Sequence, residues 1–346
     1  MKKLMKGNEA LGEGAIKAGC AAYFGYPITP QNELTEYMSK RMLEEKRVFL
    51  QSESELAAIN MVLGASAAGV KAMTSSSSPG ISLKQEGLSY MAGCELPALI
   101  VNVQRGGPGL GNIAGSQADY FQATKGGGHG DYHLIVLAPS SVQEMFEMPA
   151  QAFALAEKYR NPVMILADGV VGQILEPMEE VKVDSTYHGD RSWVLDGCQG
   201  RAPRKIRSLL MEEGALEEHN IKLQKKYKVI KEQEQRCQKQ NTEKADIILV
   251  AYGTSARVCY SAMLAARKKG LSVGLLRPLT LWPFPVKAIA ELTGTAKAFL
   301  TVEMSAGQMV EDVKLAVNGR KPVHFYGRAG GGMPTEEEIL KEIEKI

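Results

Sequence analysis

The sequence predicts an α/β protein made of two doubly wound units, and three observations carry that expectation. Its 346 residues exceed one ordinary domain and fall short of three. Hydrophobic residues make up 45% of the chain and charged ones 23%, which supplies a sizeable core and argues against disorder. Apolar runs of strand length alternate with helical patterns, the signature of a mostly parallel sheet covered on both faces.

In chain order, a helical stretch rich in small residues starts at Asn8, and Ala21-Ala-Tyr-Phe-Gly-Tyr26 reads as a short strand entering the turn Pro27-Ile-Thr-Pro30. Further strands are expected at Arg47–Gln51, Lys71–Thr74, Ala98–Val103 and Pro162–Asp168, with helices between them. From about 183 to 245 the texture turns polar and charged, with twelve Lys/Arg against seven Asp/Glu between Arg201 and Lys244. The two signs are interleaved, so this stretch reads as a connector whose second half is a solvated amphipathic helix. A second unit opens with Asp246-Ile-Ile-Leu-Val-Ala-Tyr-Gly-Thr-Ser255, a strand breaking into a turn that caps a helix. Strands at 271–276, 298–303 and 322–326 follow, and Gly327–Pro334 reads as a loop before the last helix. The expected organisation is 1–182, a connector 183–245, and 246–346.

Composition removes several function classes. A formal charge of +2 gives no field that would gather nucleic acid or a membrane surface. Cys20, Cys94, Cys198, Cys237 and Cys259 are scattered, with no C-x-x-C pair, so neither a zinc nor an iron–sulfur site is expected in this chain. Their odd number fits a reducing cytosol, and the basic Met1–Lys6 lacks the apolar stretch of a signal peptide, so the expected location is cytoplasmic. No segment reaches the length of an apolar membrane span.

Ligands of open α/β sheets gather at loops beyond the carboxyl ends of strands, here 26–30, 51–55, 74–80 and 104–111. Thr29 stands between two prolines that restrict the backbone, so it is either an aimed hydroxyl or part of an ordinary turn. Glu55 opens a helix of small and apolar residues, either as a first-turn charge favoured by the helix dipole or as a functional acid. Arg105 follows an apolar strand beside Gly106-Gly-Pro-Gly-Leu-Gly111. Neither that loop nor Lys125-Gly-Gly-Gly-His-Gly130 has the placement of a phosphate-binding fingerprint, so both read as gating loops. His129 and His133 read as loop polar residues rather than metal ligands.

Glu55, Ala58 and Gly64 form an E-x-x-A-x5-G spacing that resembles the pyrimidine-binding domain of thiamine diphosphate enzymes. Together with Tyr26-Pro-Ile-Thr-Pro30, Asn102–Gly111, Ala138–Glu144 and the Asp168-Gly-Val-Val strand end, it is similar to the α subunit of the 2-oxoacid:ferredoxin oxidoreductases. The resemblance covers nearly the whole chain. It implies a thiamine diphosphate pyrimidine-binding domain followed by a transketolase C-terminal-like domain. The loop Thr74-Ser-Ser-Ser-Ser-Pro-Gly80 resembles the Thr-Ser-Gly-Pro-Gly turn of related enzymes, with serine where glycine is often found.

Thiamine catalysis requires loss of the thiazolium C2 proton. A carboxyl group on pyrimidine N1′ favours the tautomer whose 4′ nitrogen takes that proton. The resemblance puts Glu55 in this role, with Glu53 as the rival that fits the helix-relative spacing less well. It implies that Arg105 and Thr29 contact the carboxylate of a 2-oxoacid, with Thr29 also part of the cofactor site, and a bidentate guanidinium suits a carboxylate.

Thiamine enzymes hold the diphosphate and magnesium through a Gly-Asp-Gly motif with a downstream asparagine, a pair this sequence lacks. The diphosphate half and its Mg2+ are therefore expected in a partner β subunit. The family further implies a small γ subunit and a ferredoxin-like δ subunit carrying iron–sulfur clusters, with ferredoxin as acceptor and coenzyme A as acyl acceptor. The glycine-rich loops look more like the branched-chain (2-oxoisovalerate) branch than the 2-oxoglutarate branch. Two other readings are the β chain of the decarboxylating component of a 2-oxoacid dehydrogenase complex and a non-catalytic scaffold subunit.

Overall fold

A computed structural model describes residues 2–183 and 189–346; residues 184–188 of the expected connector lie outside the described residues. The first unit begins with β1 (Lys2–Lys6), α1 (Gly7–Lys17), β2 (Ala22–Gly25), α2 (Asn32–Glu44), β3 (Val48–Gln51), α3 (Glu55–Ala67), β4 (Ala72–Ser76), α4 (Pro79–Gly93) and β5 (Ala98–Gln104). It continues with α5 (Tyr120–Thr124), β6 (Ile135–Leu137), α6 (Val142–Tyr159), β7 (Pro162–Asp168), α7 (Gly169–Gln173) and β8 (Leu175–Glu179). The polar stretch contributes α8 (Ala215–Gln233) and β9 (Cys237–Gln240). The second unit holds β10 (Ile247–Val250), α9 (Gly253–Lys268), β11 (Val273–Pro278), β12 (Thr280–Trp282), α10 (Val286–Leu292), β13 (Ala298–Glu303), α11 (Met309–Val317), β14 (Val323–Gly327) and α12 (Glu336–Glu344).

Among the described residues β1 and β8 form a small antiparallel pair, and two larger sheets are each parallel except for one antiparallel edge strand, as expected for doubly wound units. The first larger sheet has the order β12-β6-β7-β5-β4-β2-β3 and the second β14-β13-β10-β11-β9. Every residue of β5 and β7 is buried, which explains why both read as mostly apolar runs rather than alternating ones. They pair in register from Ala98↔Pro162 to Gln104↔Asp168, so Arg105 and Gly169 leave the sheet side by side.

The units are more entangled than their sequence order suggests. β12 crosses over to pair with β6 of the first sheet, while β9, from the polar stretch, edges the second. Helix α8 is amphipathic as expected, burying Leu223, Tyr227 and Ile230 against the first unit and pairing Lys222 and Lys226 with Glu95. His133 stacks on Trp282 with ring centroids 4.5 Å apart and meets the edge of Tyr227. Burial and the nearby Lys231 bring its pKa down to about 4, so it is a neutral packing residue at physiological pH.

Polar stitches close the junction. Asp168 caps α7 and accepts from Thr254 Oγ1 at 2.6 Å and from the Thr254 backbone N–H at 2.8 Å. Gln117 donates to the Tyr252 carbonyl at 2.8 Å and accepts from the Ser255 hydroxyl at 2.7 Å. Arg277 of β11, itself buried, forks onto both carboxylate oxygens of Glu144. No helix among the described residues is long and apolar enough to cross a membrane.

Candidate functional site

Strands β5, β4, β2 and β3 are consecutive neighbours, so the loops beyond their carboxyl ends form one rim. The turn after β2 is bolted from two sides. Asn8 donates to the Pro30 carbonyl at 2.8 Å, and buried Gln31 accepts from Ser75 at 2.6 Å. Thr29 is left half-exposed on the rim, its hydroxyl accepting from Asn32 at 3.2 Å.

Glu55 is the first residue of α3, after the N-cap Ser54, whose hydroxyl accepts from the Ala57 backbone N–H. Only 6% of it is exposed, whereas Glu53, before the cap, is exposed. The first turn of α4 presses on its carboxylate: a Cβ at Gly80 would lie 2.5 Å from Glu55 Oε1 and collide with Ser76 Oγ. A side chain there would force Ser76 and Glu55 to shift.

Arg105 is also nearly buried, at 8% exposure. Its Nη1 donates to the Thr29 carbonyl and its Nη2 to the Leu110 carbonyl, both at 3.0 Å. These two bonds leave Nε and one hydrogen on each terminal nitrogen for another acceptor. Behind Arg105, the Ser78 hydroxyl accepts from the Arg105 backbone N–H at 3.0 Å and donates to Asp119 at 2.6 Å. Asn102 completes the brace, taking the Ser78 N–H and donating to the same Asp119 oxygen at 2.9 Å. Burial pushes the Asp119 carboxyl above its usual range even though Ser78, Asn102 and Arg105 pull it down.

Ser78 is the serine that replaces a common glycine, and its φ of 25° explains both residues. Glycine adopts that backbone at less cost, whereas serine is strained there but gains the two hydroxyl bonds.

The site thus gathers Thr29, Glu55 and Arg105 on one rim, joined through the start of α4. Ser76 Oγ, Ser77 Oγ and Arg105 Nε are buried with no partner among the described residues, so the rim holds unspent hydrogen-bonding capacity beside a buried carboxylate. A polar heteroaromatic ring with a neighbouring anion fits that donor set. Among the described residues no group of His, Cys, Asp and Glu could hold a metal ion, and all five cysteines are free.

Residues 13–245 match the thiamine diphosphate-binding domain of pyruvate flavodoxin/ferredoxin oxidoreductases, and residues 245–339 match core domain II of pyruvate:ferredoxin oxidoreductase. The chain is 51% identical over 344 residues to the ketoisovalerate oxidoreductase subunit VorB of Methanothermobacter marburgensis, covering 99% of this chain and 97% of that one. This chain belongs to the 2-oxoacid:ferredoxin oxidoreductases. Within the family it is also 37% identical to the 2-oxoglutarate synthase subunit KorA of Methanothermobacter thermautotrophicus, over 99% of this chain and 98% of that one. A solved relative, the 2-oxoglutarate:ferredoxin oxidoreductase of Magnetococcus marinus with 2-oxoglutarate, coenzyme A and succinyl-CoA bound, superposes with a TM-score of 0.88 at 28% identity. That match covers 99% of this chain and 65% of the longer neighbour. Like its relatives, the chain is an oxidoreductase subunit that works with partner subunits.

Motif reading assigned no role to Lys84, Asn102 or Asp119. Lys84 left a signal, since Gly80, Lys84 and Gly87 share one face of α4 and a lysine among close-packed glycines is out of place. Asn102 and Asp119 left none, being distant in sequence and joined only by the fold. The Gly327–Pro334 loop also reaches the site, because Asn112 of the Arg105 loop donates to the Gly330 carbonyl at 2.9 Å.

Proposed function

We propose that this chain supplies the pyrimidine half of a thiamine diphosphate site in a 2-oxoisovalerate:ferredoxin oxidoreductase, converting the oxoacid with coenzyme A to acyl-CoA and carbon dioxide. The observation that carries the reading is a buried carboxylate, Glu55, on the same rim as an arginine tethered to the Thr29 carbonyl at 3.0 Å. Bound thiamine diphosphate supplies the nucleophilic carbon and the electron sink for decarboxylation. Glu55 holds the proton at pyrimidine N1′, and its burial keeps water from competing for that hydrogen bond. Arg105 grips the substrate carboxylate with the N–H groups its two tethers leave open, and Thr29 adds a hydroxyl from the turn to which Arg105 is tethered. The diphosphate and Mg2+ belong to a partner β subunit, and the electrons pass to iron–sulfur clusters of a ferredoxin-like δ subunit and on to ferredoxin, with a small γ subunit completing a cytoplasmic complex.

The branched-chain assignment is supported by 51% identity to a ketoisovalerate oxidoreductase subunit against 37% to a 2-oxoglutarate synthase subunit. The test is a viologen-reduction assay on the complex purified through this chain, with coenzyme A, thiamine diphosphate and magnesium. Preference for 2-oxoisovalerate over 2-oxoglutarate and pyruvate is expected, and Glu55→Gln should cost about 100-fold or more in turnover. A preference for 2-oxoglutarate would move the chain to that branch. Full activity in the variant would remove Glu55 from the mechanism, and a chain with no co-purifying subunits and no activity would be a scaffold.

A further inference from the structure

Lys84 is wholly buried, at 0% exposure, one turn beyond Gly80 on α4. Its ammonium donates to the backbone carbonyl of Glu55 at 3.3 Å and to Thr74 Oγ1 at 3.1 Å. Gly80 and Lys84 are four residues apart and so lie on the same face of α4, the face that presses on Glu55. Burying an ammonium is expensive, and an apolar residue of similar volume would fill the space more cheaply. Glu55, from α3, is the charged group that acts on Lys84. β4 presents the neutral Thr74, and on α4 itself Glu86 points outward to Tyr90 while Gln85 carries no charge.

We propose that Lys84 is a positioning residue for Glu55: its hydrogen bond to the Glu55 carbonyl holds the first turn of α3 in place, and its buried ammonium sets a positive charge beneath the turn that carries the carboxylate. The proposal rests on the reading of Glu55 as the group that addresses the pyrimidine. It accounts for a lysine at a position where packing alone would select against one. Burial brings the Lys84 pKa down to about 8, Glu55 opposing the shift, so this positive charge is lost on the alkaline side of neutrality.

Lys84→Gln keeps hydrogen-bond donors but removes the charge, and Lys84→Met removes both. In the assembled complex, kcat/KM and thiamine diphosphate affinity by calorimetry would be followed from pH 6.5 to 10. The wild type should lose about tenfold in both above pH 8, whereas the glutamine variant should start about tenfold lower and stay flat across that range. The methionine variant should fall below glutamine at every pH. An alkaline fall shared by wild type and Lys84→Gln would overturn the proposal, as would wild-type affinity and rate in that variant. Thermal unfolding of both variants separates these outcomes from loss of fold, and failure of both to assemble would make Lys84 a scaffold residue and overturn the proposal too. Glu55→Gln is measured alongside. If it retains activity, the reading of Glu55 fails; if it is inactive while Lys84→Gln behaves as wild type, only the role of Lys84 fails.

Discussion

Arg105 Nη1 lies 3.0 Å from the carbonyl oxygen of Thr29 and donates to it, across the end of the strand that separates their own. The guanidinium is thereby aimed by backbone, with the Leu110 carbonyl holding its other terminal nitrogen. A planar fork with two tethers has one orientation, which a lysine ammonium cannot reproduce.

Arg105→Lys is therefore expected to lower kcat/KM for the oxoacid by about 100-fold, close to 2.7 kcal/mol of transition-state stabilisation. Steady-state kinetics on the complex measure this. A loss of less than about threefold would place the substrate carboxylate elsewhere.

Ser78 combines a strained φ of 25° with hydroxyl bonds to Asp119 and to the Arg105 backbone N–H. Ser78→Ala keeps the strain and loses the bonds, so it should cost about 2 kcal/mol in chemical denaturation. Ser78→Gly loses the same bonds but relieves the strain, and should fall within about 1 kcal/mol of the wild type. The reverse ranking would mean that the backbone at 78 relaxes without cost.

Gly80→Ala sets two effects against each other. Alanine favours the helix by about 0.5–1 kcal/mol, while its Cβ would stand 2.5 Å from Glu55 Oε1, an overlap worth about 1–3 kcal/mol. Overpacking wins, so a modest fall in melting temperature is expected together with at least about a tenfold drop in turnover as Glu55 is displaced. Unchanged turnover would show that the carboxylate has room to move.

Stability should depend on pH through Lys84. The unfolded chain keeps this proton up to the ordinary lysine value of 10.5 and the folded chain only up to about 8. Between those values the unfolded state binds more protons, so stability contributed at this residue rises with pH, by about 3 kcal/mol at full titration. The stability advantage of Lys84→Met over the wild type, measured by urea unfolding of each, should therefore shrink from pH 7 to pH 10. A constant difference would mean that Lys84 titrates normally.

What the chain alone determined is the part written in local periodicity and local chemistry. The apolar runs that became β2, β3, β4, β5, β7, β10, β11, β13 and β14, the helix opened by Glu55 and the proline turn at Thr29 were all legible, because each depends on residues within a few positions of one another. Tertiary structure decided what lies between distant segments. The edge strands β9 and β12, and β6 between β12 and β7, are three or four residues long and gain their identity from the strands beside them. Among the described residues β1 and β8 pair only with each other, 169 or more residues apart in sequence at every paired position. The brace of Ser78, Asn102 and Asp119 and the burial of Lys84 beside Glu55 were likewise set by packing. A buried charge or a strained backbone is tolerated only where three-dimensional neighbours repay its cost, and a linear sequence does not say which neighbours those are.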